Sequence, residues 1–589
     1  MLLAVIAGLI VSRETKPDNE NIPNLAKVWN VLELRILVAV SLFLQMLLIF
    51  LGNRRKYIVS KRLKLLIWFT YLSADWIATV ALGILSKDTK DRKSDSNFVI
   101  MAIWAPFLLV HLGGPDTITA YSLEDNQLWP RHMLELLYQL AVAVYVVYRS
   151  WNTDPLKYVT VPIIIAGIIK YGEKTGSLRS GSSDGFRESI LPPPDPGPNY
   201  AKFMDDYTAK KDEGYHVTLD EINETTPLVL DHNSQGGTTL PNPNIPDGQA
   251  LSDGFKFYNV PECLFADLIF SFQDHKSSQF FFYESNWKNA FKAIEVELGL
   301  IYDMLYTKAA ITYSYRGIFL KSVSFSYSRI LSVSEGLKEL IFDQLKDKSE
   351  EATDTEACKK LCAHKGDRVL RKWNCHNIRD INHSIKEVEF DQSILLWHIA
   401  TDLCYLDDIE SQNLNGVALQ SCEKSQLLSD YMLYLLVMSP FLLPNGIGQI
   451  RFEDTCAEVD ELLKERKYIK RRSEVCKMIL RVNTTISPSE VKGDRSKSVL
   501  FDACRLAKSL KSLETEENWS KESKWEMISN VWVEMLCHAA SQCRGLNHAK
   551  QLSQGGEFLT HVWLLMAHLG ITEQFQISKG HVRVKLKLS

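Results

Sequence analysis

The sequence predicts a mainly α fold: an N-terminal polytopic transmembrane helix bundle followed by a large, mainly helical soluble region with a short C-terminal strand. Three observations predict it. Apolar residues crowd the stretch from Leu32 to Ile169, while the rest of the chain is polar and charged. From Asn286 onward apolar residues recur at helical spacing, with Phe291, Ile294, Leu298 and Ile301 on one stripe. The final HVRVKLKLS alternates, with Val582, Val584, Leu586 and Leu588 on one face, which is a strand signal.

A membrane span needs roughly 17–25 mainly apolar residues. Residues 34–51, 63–85, 98–112, 133–148 and 158–171 are the candidate spans. The third ends at a Gly-Gly-Pro break, and the fifth is short and carries Pro162, a residue membrane helices tolerate. Residues 1–31 form an N-terminal segment. Met1–Ile10 within it is apolar but too short to span, and it lacks the basic start of a secretory signal. The loop after the first span holds Arg54, Arg55, Lys56, Lys61, Arg62 and Lys64 with no acid, which places it in the cytoplasm. The Lys and Arg of the next loop, SKDTKDRKSDSN, weaken that contrast. Five spans from an outside N-terminus put everything after Tyr171 in the cytoplasm, in agreement with Lys170, Lys174, Arg179 and Arg187.

Residues 172–255 read as a Pro/Gly-rich linker, with LPPPDPGPNY excluded from regular helix and Asp231–Gly254 a loop. Residues 256–520 read as a helical cytoplasmic region and 521–589 as a C-terminal module. Further helices are expected near 335–348, 391–405, 425–442, 454–480, 500–515 and 521–544. Leu428–Leu443 is strongly apolar, but its length and Asp430 favour a buried core helix over a span. The soluble region from residue 256 is expected to fold without the membrane part, because its amphipathic helices can cover one another's apolar stripes.

The chain has 589 residues, too many for one compact core, and a formal net charge of −4. That charge, with no stripe of Lys and Arg interleaved with aromatics, argues against nucleic acid as a partner. All 11 cysteines lie from Cys263 onward, and scattered free thiols suit a reducing compartment. The sequons at Asn223, Asn382, Asn483 and Asn518 all fall on the same side and are expected to stay unmodified.

Five strings together resemble one family: WAPFLLVHLGGPDTITAYSLEDN, LPPPDPGPNYAKFM, LLWHIATDLCY, LSDYMLYLLVMSPFLLPNGIGQIRFEDT and GGEFLTHVWLLMAHLG. They resemble the plant membrane proteins called domain of unknown function 4220, and the last resembles their companion C-terminal module, domain of unknown function 594. The resemblance implies a plant source and a multi-span membrane protein, and it implies no activity. The chain departs from the family in one respect. A further pair of apolar segments, usual between the helix like Ala290–Ala309 and the stretch like Leu337–Lys348, is missing near residues 317–336.

Few residues invite a chemical role. Asp75 lies inside the second span and Glu135 near the start of the fourth. Ionisable groups in hydrocarbon mark ion or substrate paths, or else tie packed helices together. His111-Leu-Gly-Gly-Pro-Asp116 follows the third span, and Asp116, Glu124 and Asp125 gather acid beside it. That acid suits a cation or polar headgroup, or a tight turn and the cap of the next helix. Cys358, Cys362, His364, Cys375 and His376 match no standard zinc spacing, nor do Cys537, His538, Cys543, His548, His561 and His568. Packing is the preferred reading of both groups. No nucleophile elbow, phosphate loop or HExxH string occurs, so no catalytic residue, cofactor or metal is assigned.

The favoured reading is a non-enzymatic membrane scaffold or regulatory protein whose cytoplasmic region binds a protein partner, with the lipid bilayer as its other partner. The alternative is a transporter or channel using Asp75 and the His111–Asp116 turn.

Overall fold

The computed structural model describes residues 25–57, 60–87, 103–149, 157–191, 200–213, 217–223, 248–309, 334–410, 416–464, 472–493, 496–575 and 582–588. Met1–Ile10 and residues 310–333, where the missing apolar pair would fall, lie outside these. The chain divides into two units. Unit 1 comprises residues up to Asn53, Ser60–Tyr121 and Leu128–Leu178. Unit 2 comprises Arg54–Val59, Ser122–Gln127 and Arg179–Ser589.

Unit 1 holds α1 (Leu25–Gly52), α2 (Lys61–Lys87), α3 (Trp104–Leu112), α5 (Trp129–Arg149) and most of α6 (Lys157–Gly181); the short α4 (Leu123–Gln127) belongs to unit 2. Its core joins Leu34 and Val38 of α1, Ala78, Ala81, Leu82 and Leu85 of α2, Leu108, Leu109 and Leu112 of α3, Ala143 and Val146 of α5, and Tyr171. Small residues let the backbones approach: a Cβ on Gly167 would stand 3.0 Å from the Leu109 side chain.

Unit 1 is apolar on its outer surface as well as in its core, and polar side chains are among those buried. Ser41, Gln45, Thr70, Gln139, Lys174, Thr175 and Ser177 are buried. Apolar side chains face outward from four helices, among them Phe43 and Phe50 on α1, Phe69 and Trp76 on α2, Leu134 and Tyr148 on α5, and Ile165 and Ile169 on α6. By length and composition, α1 (Glu33–Gly52) and α2 (Lys61–Ser86) are each able to cross a membrane.

The expected spans at 34–51 and 63–85 sit inside α1 and α2. Only Trp104–Leu112 of the expected 98–112 span is a described helix, and 98–102 lie outside the described residues. The expected 133–148 span sits inside α5. The helix containing Tyr158–Tyr171 runs ten residues further, to Gly181, with Pro162 in its second turn. Hydropathy ends the segment where Lys170 and Lys174 begin, but Lys174 has a charge partner that hydropathy does not register.

The linker reading of 172–255 needs correction wherever the chain is described. It contains the end of α6, α7 (Ser183–Ile190), α8 (Tyr200–Asp212) and α9 (Gly248–Lys256). Ser182 caps α7 by accepting from the Gly185 N–H at 3.2 Å, satisfying a donor that the helix leaves free. The reading of Asp231–Gly254 as a loop fails at α9, where Leu251 packs into the core. Residues 192–199, 214–216 and 224–247 lie outside the described residues.

Unit 2 continues with α10 (Asn259–Phe265), α11 (Phe272–Glu284), α12 (Trp287–Tyr306), α13 (Glu335–Glu351), α14 (Thr355–Ala363), α15 (Asp367–Lys372) and α16 (Arg379–Lys386). There follow α17 (Phe390–Glu410), α18 (Gly416–Met438), α19 (Gly448–Lys464), α20 (Arg472–Arg481), α21 (Pro488–Lys492), α22 (Leu500–Thr515), α23 (Lys521–Gln542), α24 (Gly545–Leu552) and α25 (Phe558–His568). The backbones of β1 (Val217–Asn223) and β2 (Val582–Leu588) pair antiparallel, from Val217 opposite Leu588 to Asn223 opposite Val582.

The stripe Phe291, Ile294, Leu298 and Ile301 is buried on α12. Trp397, Trp525 and Trp532 are fully buried where α17, α18, α22 and α23 pack together. The apolar stretch Leu428–Leu443 is a core element: Leu428, Met432, Leu435 and Leu436 point inward, and the helix ends at Met438 before a 3-10 turn at Pro440–Leu442.

Candidate functional site

The polar interior of unit 1 gathers where α3 ends against α6. Asp75 on α2 accepts a 2.7 Å bond from Nζ of Lys174 on α6. Lys174 also donates to the Leu112 carbonyl at 3.2 Å, one of the acceptors that the end of α3 leaves without an intrahelical partner. The Lys174 side chain is 4% exposed and that of Asp75 33%. The ammonium also lies 5.8 Å from the centroid of the Tyr171 ring. A lysine buried this deeply needs a counter-charge and hydrogen bonds, and Asp75 and Leu112 supply both.

The turn after α3 is held from two sides. Ser41 Oγ and His111 Nδ1 are 3.0 Å apart, and Gln45 donates to the His111 carbonyl at 2.9 Å. Asp116 pairs with Lys170 at 3.5 Å. Gly113 has to be glycine, because a Cβ there would stand 2.9 Å from the Lys170 backbone. Gly114 has φ +66°, a conformation that side chains rarely adopt. Asp75 and Asp116, separate in sequence, thus meet two lysines a turn apart on α6, while His111 is held by Ser41 and Gln45 at the same turn. The sequence offered those lysines only as topology markers.

The other three candidates lie elsewhere. Glu124 is bonded to Lys550, and that bond holds its carboxyl below the ordinary glutamate range. Asp125 accepts from the Ser122 N–H at 3.0 Å, the role of a turn-closing residue. Glu135 pairs with His132 at 3.3 Å, one turn away on α5.

Arg55 and Lys56, expected as free topology signals, are incorporated into unit 2. Arg55 is 1% exposed, with its guanidinium 5.6 Å from the centroid of the Tyr306 ring. Lys56 reaches Asp303 at 3.5 Å and lies 5.6 Å from the centroid of Tyr302. Asn126 donates to the carbonyls of Gly181 at 3.0 Å and Leu305 at 2.9 Å. Arg55, Lys56 and Asn126 therefore gather around the C-terminal end of α12.

The cysteine and histidine groups resolve into separate packing contacts. Cys358 donates to the Gly570 carbonyl, and His364 pairs with Asp367 at 2.9 Å. His538 donates to the Cys362 carbonyl, His548 bonds Thr560, and His561 donates to the Glu557 carbonyl. Burial lowers the pKa of His548 to about 3 and of His561 to about 4, and raises that of Cys362 to about 12. Among the described residues no three His, Cys, Asp or Glu side chains are placed to hold one metal ion.

One constellation escaped the sequence reading. Ser278 Oγ lies 2.6 Å from His568 Nδ1, and His568 Nε2 lies 2.8 Å from Glu297 Oε2. The imidazole stacks on Phe282 with centroids 4.1 Å apart. Serine, imidazole and carboxylate form the series of a hydrolase, but here the serine faces Nδ1 rather than Nε2, and all three groups are buried. A surface cleft of about 440 Å³ on the same helix is lined by Lys276, Gln279, Phe280, Tyr283, Ser349 and Glu350, and by none of the three. The chain ties α11, α12 and α25 together. Separations of 271 and 290 residues leave no spacing from which it could be found.

Comparison with known proteins agrees with the strings quoted above. The family described as Domain of unknown function (DUF4220) matches residues 68–357, and Protein of unknown function, DUF594, matches residues 517–571. No curated protein and no solved structure matches the chain. The first match runs from α2 to the start of α14, and the second covers α23 to α25 with the buried His568. Residues 68–357 thus match the domain of unknown function 4220 family, and residues 517–571 match the domain of unknown function 594 module toward the C-terminus.

Proposed function

We propose that this chain is a multi-pass membrane protein that serves as a scaffold, its embedded helices holding unit 2 at the cytoplasmic surface to receive a protein partner. The observation that carries the membrane reading is the apolar outer surface of unit 1, with large apolar side chains outward on four helices and several polar side chains buried. In water that arrangement exposes apolar area at roughly 25 cal/mol per Å², whereas hydrocarbon removes the penalty.

Sidedness follows from connectivity. Segments 54–59 and 122–127 are parts of unit 2, so they share its side of the bilayer. On this reading α2 crosses away from the first segment, and the chain returns before the second by a crossing that ends in α3. α5 and α6 then cross as a pair, and α1 alone separates the N-terminus from unit 2. This reading gives five crossings. The basic residues around α2 support a cytoplasmic side for unit 2 on this reading, as do its free thiols.

The scaffold reading rests on Asp75 having its charge answered by Lys174, and on the serine–histidine–glutamate series being buried and reversed. A conducting path is the second reading, favoured by the one-third exposure of Asp75 beside a nearly inaccessible lysine. Asp75→Asn abolishing ion flux in reconstituted vesicles would favour it.

The topology has a direct test in sealed microsomes. A membrane-impermeant maleimide should label Cys456, an exposed thiol of unit 2, while an N-terminal epitope stays protected from protease. Both on one side would overturn the five-crossing count. Exchanged sides would reverse the orientation.

A further inference from the structure

We infer that the surface of unit 2 formed by the end of α18, the Pro440–Ile450 turn and the start of α24 lies on the lipid interface; this inference rests on the membrane reading above. Segments 54–59 and 122–127 belong to unit 2. Each links two helices of unit 1, so on that reading each sits at the bilayer surface. The residues of unit 2 that hold them therefore mark its membrane-proximal face. Lys550 on α24 is one of these, bonded to Glu124. Leu546 lies one turn earlier on the same face of α24, at i−4, and its side chain is 45% exposed.

The apolar surface continues from there. Asn547 donates to the Phe441 carbonyl at 2.9 Å, which fixes the turn against α24. Phe441, Ile447 and Ile450 are exposed and border a shallow groove of about 340 Å³. Met438, at the end of α18, is 57% exposed. The one carboxylate bordering the groove faces inward: Asp391 accepts from the Ile447 N–H at 2.9 Å and from Arg451 Nε at 3.2 Å. Large exposed apolar side chains with a neutralised acid suit the boundary between headgroups and acyl chains, where buried apolar area supplies the attraction. Each of these side chains is large, and a run of them open to water on a soluble face calls for an interaction.

The test uses the full chain in vesicles of phosphatidylcholine and phosphatidylserine that contain a traceable lipid. A photocrosslinking phenylalanine derivative replaces Phe441, Ile450 or Leu546 in separate variants. Two control positions are Phe43, outward on α1, and Val417, exposed at the opposite end of α18 from Met438. On irradiation, lipid adducts are expected at Phe441, Ile450 and Leu546, several-fold above those at Val417 and comparable with those at Phe43. Adducts at Phe43 with none at the three test positions would overturn the interfacial surface and leave the membrane reading intact. No adduct at Phe43 would sink the membrane reading itself. Adducts to protein rather than lipid at Phe441 in native membranes would assign this face to a protein partner and overturn the inference. Equal adducts at Val417 would remove its specificity.

Discussion

Units 1 and 2 use the same helical repertoire and present opposite outer surfaces. In unit 1 the outward residues are Phe43, Phe69, Leu134 and Ile169, and the inward ones include Ser41, Gln45 and Lys174. In unit 2 Trp397, Trp525 and Trp532 are inward, and the buried charges come as pairs such as Lys524 with Asp408. The lesson is that a helix's apolar stripe locates its apolar surroundings. In unit 2 those surroundings are other helices, and in unit 1 the stripe also faces away from the protein. Both units obey one rule inside: a buried charge keeps its partner, as with Lys174 and Asp75 or Lys524 and Asp408.

The largest expected effect tests that rule in unit 2. Asp408 accepts from Lys524 at 2.6 Å, Lys521 at 2.7 Å and the Trp525 indole at 2.9 Å. Asp408→Ala leaves a fully buried ammonium with less compensation and should cost about 3–5 kcal/mol, read by denaturant unfolding of the solubilised protein. A loss below about 1 kcal/mol would mean Glu514 alone satisfies Lys524.

Outward substitutions separate the units more sharply. Leu72→Asp, on the exposed face of α2, should cost about 2.5–3.5 kcal/mol in membrane insertion. Val491→Asp, exposed on α21, should change stability by no more than about 0.5 kcal/mol. The first is measured by the inserted fraction in microsomes, the second by thermal unfolding. Equal tolerance at both positions would erase the distinction between the two outer surfaces.

Several helix starts in unit 2 carry side-chain caps, among them those at Ser271, Asp354 and Ser520. Ser520 accepts from the Ser523 N–H at 3.0 Å at the start of α23. Ser520→Ala should cost about 1 kcal/mol, and rescue by Ser520→Asp would identify the lost acceptor as the cause.

The smallest effect concerns protons. His548 stays neutral in the folded chain, because burial lowers its pKa from 6.5 to about 3. On unfolding it takes up a proton below pH 6.5, so its contribution is present above that pH and is lost progressively as pH falls toward about 3. His548→Gln removes the titration along with the stacking on Trp563. The stability gap between wild type and variant should therefore narrow by about 0.7 kcal/mol between pH 7 and pH 6. A constant gap would show that His548 does not titrate on unfolding.

Much of the helical framework was legible from periodicity. The Phe291–Ile301 stripe and the stretches near 335–348, 500–515 and 521–544 all fall in helices, because one buried face imposes its repeat on the sequence. The segment 172–255 was misread because α7 and α9 are short, polar and bordered by Gly and Pro. Of the candidate site residues, Asp75, His111 and Asp116 share a region, while Glu124, Asp125 and Glu135 are engaged locally or in unit 2. Composition could not sort them, since an acid looks the same whether it pairs across helices, closes a turn or meets a distant lysine.

Two decisions belong to the tertiary structure. One is the pairing of Asp75 with Lys174, 99 residues apart, which makes an acid on an apolar helix half of an ion pair. The other is the incorporation of Arg55, Lys56 and Asn126 into unit 2 around Tyr302, Asp303 and Tyr306. A fragment cut at residue 256 would leave those three residues behind. The sequence by itself determined where apolar runs lie, which helices carry a stripe and which family the strings belong to. These properties are local, fixed by side-chain transfer free energy and helical repeat. Which charge answers which, and which loop returns to which unit, depend on contacts between residues far apart in the chain, and no local pattern encodes them.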